Sequence, residues 1–352
     1  MTRHDVGAGP TSGGIPSALV ISLDFELHWG VSERVSGPDH PYTASLRGAR
    51  SVIPRLLSLF RRRGVHATWA TVGALLATSR RELDACKPAI RPRGGADNYG
   101  LDLGAGETDD PLHFAPSLVE AITDTPGQEL ASHTFIHYFC DDDGGHRAAF
   151  EADLRAAQDL AARRGRRLRT LVFPRNQVKR DYLPSLPAAG IDVYRGNPPG
   201  GFFGSPRGRF GVLCQRAGRL ADSYVSLTGP NTVSWSEIAA EYPRNVRASH
   251  LFRPYAPRLR ALEPLRVRRV VASLRAAAER GEVVHLWWHP HNFGIHQDEN
   301  LAALEAVFDE LDRLRARTGM RSLTMAEAAD AAADSASARP SAREAPARRA
   351  AG

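Results

Sequence analysis

The 352-residue sequence predicts an α/β protein on a parallel sheet, either a barrel or a large doubly wound sheet. Three observations carry this. Short, almost wholly apolar runs, of the kind that form strands covered on both faces, alternate about seven times with segments of helical periodicity. The first two runs are joined through a helix at the spacing of a βαβ crossover, which requires parallel strands. Polar residues that are costly to bury stand just past the ends of several runs, on the face where ligand sites of such sheets gather.

The elements follow in order. Ser17 to Leu23 reads as a buried strand; Val52, Ile53, Leu56, Leu57 and Phe60 mark a helix that Gly64 caps; His66 to Val72 is the second strand. After a long excursion from Ser79 to His113 come a helix (Pro116 to Thr123) and a strand (Glu129 to Ser132), then a helix (His146 to Arg164) and a strand (Arg169 to Phe173). A short helix near Tyr182 to Ala189 precedes a strand at Ile191 to Tyr194, and a second excursion runs from Gly196 to Arg219. The helix Val267 to Arg280 leads to the very apolar strand Val283 to Trp288, and the helix Glu299 to Thr318 leads to a last strand, Ser322 to Met325. Residues 17 to 330 are read as one domain, flanked by a disordered segment (1 to 16) and a disordered Ala/Arg-rich tail (331 to 352).

Composition excludes several classes. With 42% hydrophobic and 24% charged residues the chain is neither disordered nor fibrous. Cys86, Cys140 and Cys214 lie far apart with no C-x-x-C pair, so neither a disulfide framework nor a thiolate zinc site is expected, and a reducing compartment fits. The net charge is +7, and of the 46 basic residues only Lys87 and Lys179 are lysine. No aromatic-basic interleaving or reading helix accompanies the arginines, so a solvated basic face is read in preference to a nucleic-acid partner. No stretch approaches the ~18 apolar residues of a membrane span, and the first sixteen residues hold no apolar run of signal-peptide length. A cytoplasmic protein without an integral membrane segment is expected.

The polar residues at the run ends are Asp24, Glu26 and His28; His133 and His137; Arg175; and His289 and His291. Carboxylates, imidazoles and a guanidinium therefore converge on one face of the sheet. Two imidazoles four residues apart can reach one metal if the segment turns helical directly after its strand. Alone, the pair equally describes two hydrogen-bonded strand-end histidines.

Taken together, Ser22-Leu23-Asp24-Phe25-Glu26, His133-Thr134-x-x-His137, Phe173-Pro174-Arg175 and Leu286-Trp287-Trp288-His289 resemble the polysaccharide deacetylase family, the NodB homology domain of carbohydrate esterase family 4. The resemblance covers about residues 17 to 330 and implies a distorted (β/α) barrel of about seven parallel strands with a divalent metal, usually zinc. It implies Asp24 as general base, His133 and His137 as metal ligands, Arg175 as the group holding Asp24, and His289 as general acid. Asn176 and His291, each beside one of these, are expected to contact substrate. Two positions depart from the family pattern: Phe25 stands where a second aspartate normally ligates the metal, and Pro174-Arg175 inverts the usual order. Residues i and i+2 of a strand share a side, so Glu26 would face the site with Asp24 and supply the missing ligand.

The function so implied is a metal-dependent hydrolase that removes an N-acetyl group from a sugar, an intermediate of surface polysaccharide biosynthesis. The rivals are a metal-independent amidohydrolase acting on a small cyclic amide or ureide, and a degenerate barrel that only binds glycan. The loop Gly196 to Gly211 is too rich in Gly and Pro for regular structure yet carries Phe202, Phe203 and Phe210. Its rings either pin the loop to the barrel or form a rim that stacks on substrate.

Overall fold

The computed structural model describes residues 15–338 except 36, 38, 93–97, 142–143, 145 and 200–207. In chain order the elements are β1 (Ala18–Phe25), α1 (Thr43–Arg63), β2 (Ala67–Thr71), α2 (Arg80–Cys86), α3 (Pro116–Thr123), β3 (Gln128–Ser132), α4 (Arg147–Ala162), β4 (Thr170–Val172) and β5 (Val193–Arg195). There follow α5 (Gly208–Asp222), α6 (Trp235–Ala240), β6 (Arg244–Asn245), β7 (His250–Leu251), α7 (Glu263–Arg280), β8 (Val283–Trp288), α8 (Gln297–Thr318), β9 (Arg321–Leu323) and α9 (Met325–Ala338).

The strands run in the order β6-β5-β4-β3-β2-β1-β8-β7, and every ladder between them is parallel. The two ends of this order are adjacent in sequence. The segment from Arg244 to Leu251 pairs with β5 through its first half and with β8 through its second, the amide of Ala248 still bonding the Gly196 carbonyl while that of Ser249 bonds His285. One extended segment thus closes the sheet by changing partners, which makes a distorted (β/α) barrel of the kind expected. β9 lies beside the first half of β1, on the edge that β2 takes for the second half.

Alternation along β1 sorts its residues. Leu19, Ile21, Leu23 and Phe25 join the large cluster under the surrounding helices, whereas Ala18 and Val20 pack inside the barrel with Ala70, Val172, Val193 and Val283. The interior is apolar at the amino-terminal end, where Met325, Ala328, Ala329 and Ala332 of α9 plug it, and becomes polar at the carboxyl end through Ser22 and Asp24. Glu129 of β3 fastens the plug, accepting from the hydroxyls of Thr68 (2.7 Å) and Thr170 and from the amide of Ala326 (3.2 Å).

Several expectations need correction. The tail does not begin at residue 331: α9 continues to Ala338, because its alanine face has the barrel mouth to bury against. Within Gly196 to Arg219 the chain becomes helical from Gly208, so the glycines at 208 and 211 did not prevent a helix. Phe202 and Phe203 and the end of the tail lie outside the described residues, as does the side chain of Phe210. The Tyr182 region forms 3-10 turns, with Pro184 and Pro187 interrupting any longer helix. Among the described residues no helix is long and apolar enough to cross a membrane.

Candidate active site

Glu26, His133 and His137 come together at the carboxyl end of the barrel, each presenting a donor atom within 4.8 Å of the others. Glu26 Oε2 lies 3.0 Å from His137 Nε2 and 3.3 Å from His133 Nε2, and all three side chains are buried. Glu26 is the first residue past β1, where a 3-10 turn (Leu27–Gly30) begins, and its carboxylate rests against Gly30. His28 turns elsewhere, to His113 (2.9 Å) and the Val35 carbonyl (2.7 Å).

The His133–His137 segment is not helical, contrary to the condition set above for shared ligation. Thr134 and His137 adopt left-handed backbones (φ 64° and 63°), and this tight turn brings the rings to 5.1 Å between centroids. Such a turn persists only when its surroundings over-determine it. Asp153 of α4 accepts from the amide of Phe135 at 2.6 Å, Asn98 donates to the carbonyls of Ile136 (2.8 Å) and Trp29 (3.1 Å), and Thr134 Oγ1 accepts from the amide of Tyr138 (2.7 Å). Tyr99 in turn donates to Asp153 at 2.8 Å. The long excursion before α3 therefore buttresses both the turn after Glu26 and the His133–His137 turn through Asn98 and Tyr99.

The donor set fits a metal. His133 Nδ1 donates to the Val172 carbonyl at 2.8 Å, which leaves Nε2 a lone pair facing a carboxylate oxygen, buried and without a hydrogen-bond partner among the described residues. Two buried electron-rich atoms face each other, an arrangement that a cation relieves. Burial by itself would raise the Glu26 pKa, but the His289 and His137 imidazoles outweigh it and hold the carboxyl well below its usual range.

Asp24 lies one step inward. Burial opposes its ionisation, yet the Arg195 guanidinium keeps its pKa below the ordinary value. The clamp is bidentate, Nη1 to Oδ1 and Nη2 to Oδ2 at 2.7 Å each. Arg195 also donates to Ser22 Oγ (2.8 Å) and Asn176 Oδ1 (2.9 Å) and lies over the Trp287 ring at 4.5 Å. Behind Ser22 sits His285, whose pKa burial depresses to about 3, so it is neutral and bridges the Ser22 hydroxyl (2.8 Å) to the Val246 carbonyl (2.9 Å). Arg195, and not Arg175 as the resemblance implies, therefore clamps Asp24. Arg175 occupies a left-handed turn after β4 (φ 55°), pairs with Glu33 and stacks on Phe139 at 3.9 Å. Arg195, Ser22 and His285 were missed. The legible signal was an arginine closing the buried run Val193–Arg195, since Val193 and Arg195 share a side and Val193 packs inside the barrel.

His289 follows β8 and touches both carboxylates, its Nε2 being 3.6 Å from Glu26 Oε1 and 3.9 Å from Asp24 Oδ2. Asn292 Nδ2 donates to its Nδ1 (3.3 Å), so Nε2 carries the hydrogen. His291, expected at the substrate, is only 3% exposed and stacks under His289 with 4.9 Å between centroids. Burial lowers its pKa to about 3, leaving a neutral ring that supports His289. The turn carrying both is held by direct backbone contact with α1: a Cβ on Gly48 would stand 1.9 Å from the Gly294 carbonyl oxygen. Asn176, through its contact with Arg195, lines the cavity beside the site.

The match to a solved structure assigned as a polysaccharide deacetylase from Mycobacterium smegmatis covers 97% of this chain and 99% of that one, at 13% identity and a TM-score of 0.53. The chain has the polysaccharide deacetylase fold. A structure with the same assignment from Pseudomonas aeruginosa PAO1 matches 89% of each chain at 12% identity and a TM-score of 0.49. A family 4 carbohydrate esterase from Streptomyces lividans, solved with acetate, matches 87% of this chain and 92% of its own at 11% identity and a TM-score of 0.38. No protein-family model and no curated protein sequence matches the chain.

Proposed function

We propose that the protein is a metal-dependent hydrolase that removes an acetyl group from an N-acetylated sugar, an intermediate in building a surface polysaccharide. The observation that carries this is the buried Glu26–His133–His137 triangle beside an ionised, arginine-clamped Asp24 and a partly exposed His289. A divalent ion, zinc by preference for two imidazoles and a carboxylate, would be held by these three residues; when bound it polarises the acetyl carbonyl and makes a water more acidic.

The chain's own groups supply the rest. Asp24 takes the proton of the attacking water, since Arg195 keeps it ionised and fixed in orientation. His289 Nε2 faces the same space from the other side, and its protonated ring donates from that atom to the leaving nitrogen as the amide breaks. His291 beneath and Asn292 at Nδ1 hold that ring in position. Water and the amide therefore become acetic acid and amine, one water proton being taken at Asp24 and one given to nitrogen by His289, and the acetic acid ionises on release. The opposed electron-rich donors favour the metal-dependent reading over a metal-independent amidohydrolase, and a glycan-binding barrel has no use for a desolvated arginine–aspartate pair beside them.

The experiment is acetate release by the purified protein from a panel of N-acetylated sugars, free, phosphorylated and polymeric, followed with detection of the new amine. Acetate and amine in equal amounts are expected. Hydrolysis of cyclic ureides with no acetate from any sugar would overturn the reading.

A further inference from the structure

Between α5, β7 and α7 lies a cavity of about 470 Å³ that opens directly beside the Asp24 clamp, sharing Asn176 and Trp287 with it. Part of its wall is apolar, formed by Leu251, Phe252 and Val270, but its charge is lopsided: six arginines line it against a single carboxylate, Asp222, among the described residues. At least three of these arginines have a carboxylate partner among the described residues. Arg175 pairs with Glu33, Arg266 with Glu263 at 2.6 Å, and Arg269 with Asp222 at 3.6 Å.

Arg216, Arg219 and Arg253 line the same cavity. Arg253 is half-buried and positioned by Ser223, which accepts from its Nε at 2.7 Å. Neither Arg216 nor Arg253 has a carboxylate in ion-pair contact among the described residues. Burial lowers the Arg253 pKa, Tyr224 opposing this and the Arg219 charge adding to it; burial and then Arg216 lower that of Arg219. Like charges gathered in a concave, partly dry place are unfavourable until an anion joins them. Guanidinium forks match phosphate oxygens, and a phosphoryl group, carrying about two charges, balances this cluster better than one carboxylate.

We propose that this cavity binds a phosphate or diphosphate carried by the acetylated sugar, so that the substrate is a phosphate-linked N-acetylsugar and not a neutral polymer. The proposal rests on the deacetylase reading above for the sugar and its acetyl group, but the anion site can be tested without turnover. The carrier beyond the phosphate, a nucleoside or a polyprenyl lipid, presents the same chemistry to the arginines.

The direct test is calorimetric titration of the full chain with inorganic pyrophosphate, using wild type, Arg216→Gln, and Arg216→Gln with Arg253→Gln. Saturable binding is expected, weakened about threefold or more by the exposed Arg216→Gln change and about tenfold or more by the double variant. No binding at millimolar pyrophosphate, or equal binding by wild type and Arg216→Gln, overturns the proposal even if the double variant fails to fold. A second arm compares acetate release from N-acetylglucosamine, its 1-phosphate, its uridine diphosphate ester and its polyprenyl diphosphate ester in detergent micelles. A higher kcat/KM for a phosphorylated form that falls in Arg216→Gln supports the site and tells which carrier is used. Equal kcat/KM for the free and phosphorylated sugars overturns the anion site and leaves the deacetylase intact. Pyrophosphate binding that the variants abolish, with no acetate from any sugar, keeps the anion site and removes the deacetylase reading.

Discussion

A β-carbon placed on Gly30 would stand 2.0 Å from Cδ and 2.1 Å from Oε1 of Glu26, so this glycine is what lets the carboxylate lie where the two imidazoles meet it. Gly30→Ala is therefore expected to leave the fold standing, because a side-chain end can move aside, while metal affinity falls about tenfold or more. Metal titration with a parallel thermal melt checks this, and unchanged affinity would mean that Glu26 is not a ligand. Asp24→Asn and His289→Ala are each expected to cut turnover by about two to four orders of magnitude with folding intact. Stopped-point acetate assays would remove either residue from the mechanism if it stayed near wild type. At this scale the sequence was legible wherever a costly side chain ended an apolar run. Glu26 was found by its i+2 relation to Asp24 despite Phe25, which packs outward into the core. Arg195 went unread because the resemblance pointed to Arg175, and a motif carries no information about which strand end points inward.

Among the elements, α4 does the most for the site from a distance. Asp153 is fully buried, and burial pushes its pKa up to about 7 against hydrogen bonds from the Phe135 amide and the Tyr99 hydroxyl. A carboxyl whose folded pKa lies above its unfolded value stabilises the fold fully only below the unfolded pKa, near 4. That stability is lost as pH rises to about 7, at up to about 1.4 kcal/mol per unit. Asparagine keeps an acceptor for the amide and does not titrate. Urea denaturation at pH 5 and pH 8 should therefore show Asp153→Asn gaining on wild type at the higher pH; a pH-independent difference would mean that Asp153 is ionised in the native protein. The βαβ rhythm made most strands and helices legible. The two-residue strands β6 and β7 were not, since each is defined by its partner rather than by its own pattern. Nor was the His133–His137 turn, whose left-handed residues are imposed by Asp153 and Asn98.

The whole molecule is a barrel with an apolar, plugged end and a polar, open end, and the site exists because these are separated. α9 belongs to the barrel and not to a tail, although its alanines carry too little apolar period to announce it. Met325 is fully buried in the barrel mouth, and Met325→Ala should cost about 2–5 kcal/mol in chemical denaturation. A loss below about 0.5 kcal/mol would mean that the plug is not part of the cooperative unit.

The central claim, that Glu26, His133 and His137 hold a catalytic metal, is tested most directly by titrating metal-stripped wild type, Glu26→Gln and His133→Ala with zinc while following acetate release from the best sugar of the panel. Activity should be lost on stripping and return at about one equivalent in wild type, and both variants should lose affinity to a comparable degree. Full activity of the stripped wild type, or undiminished zinc affinity of Glu26→Gln, would contradict it.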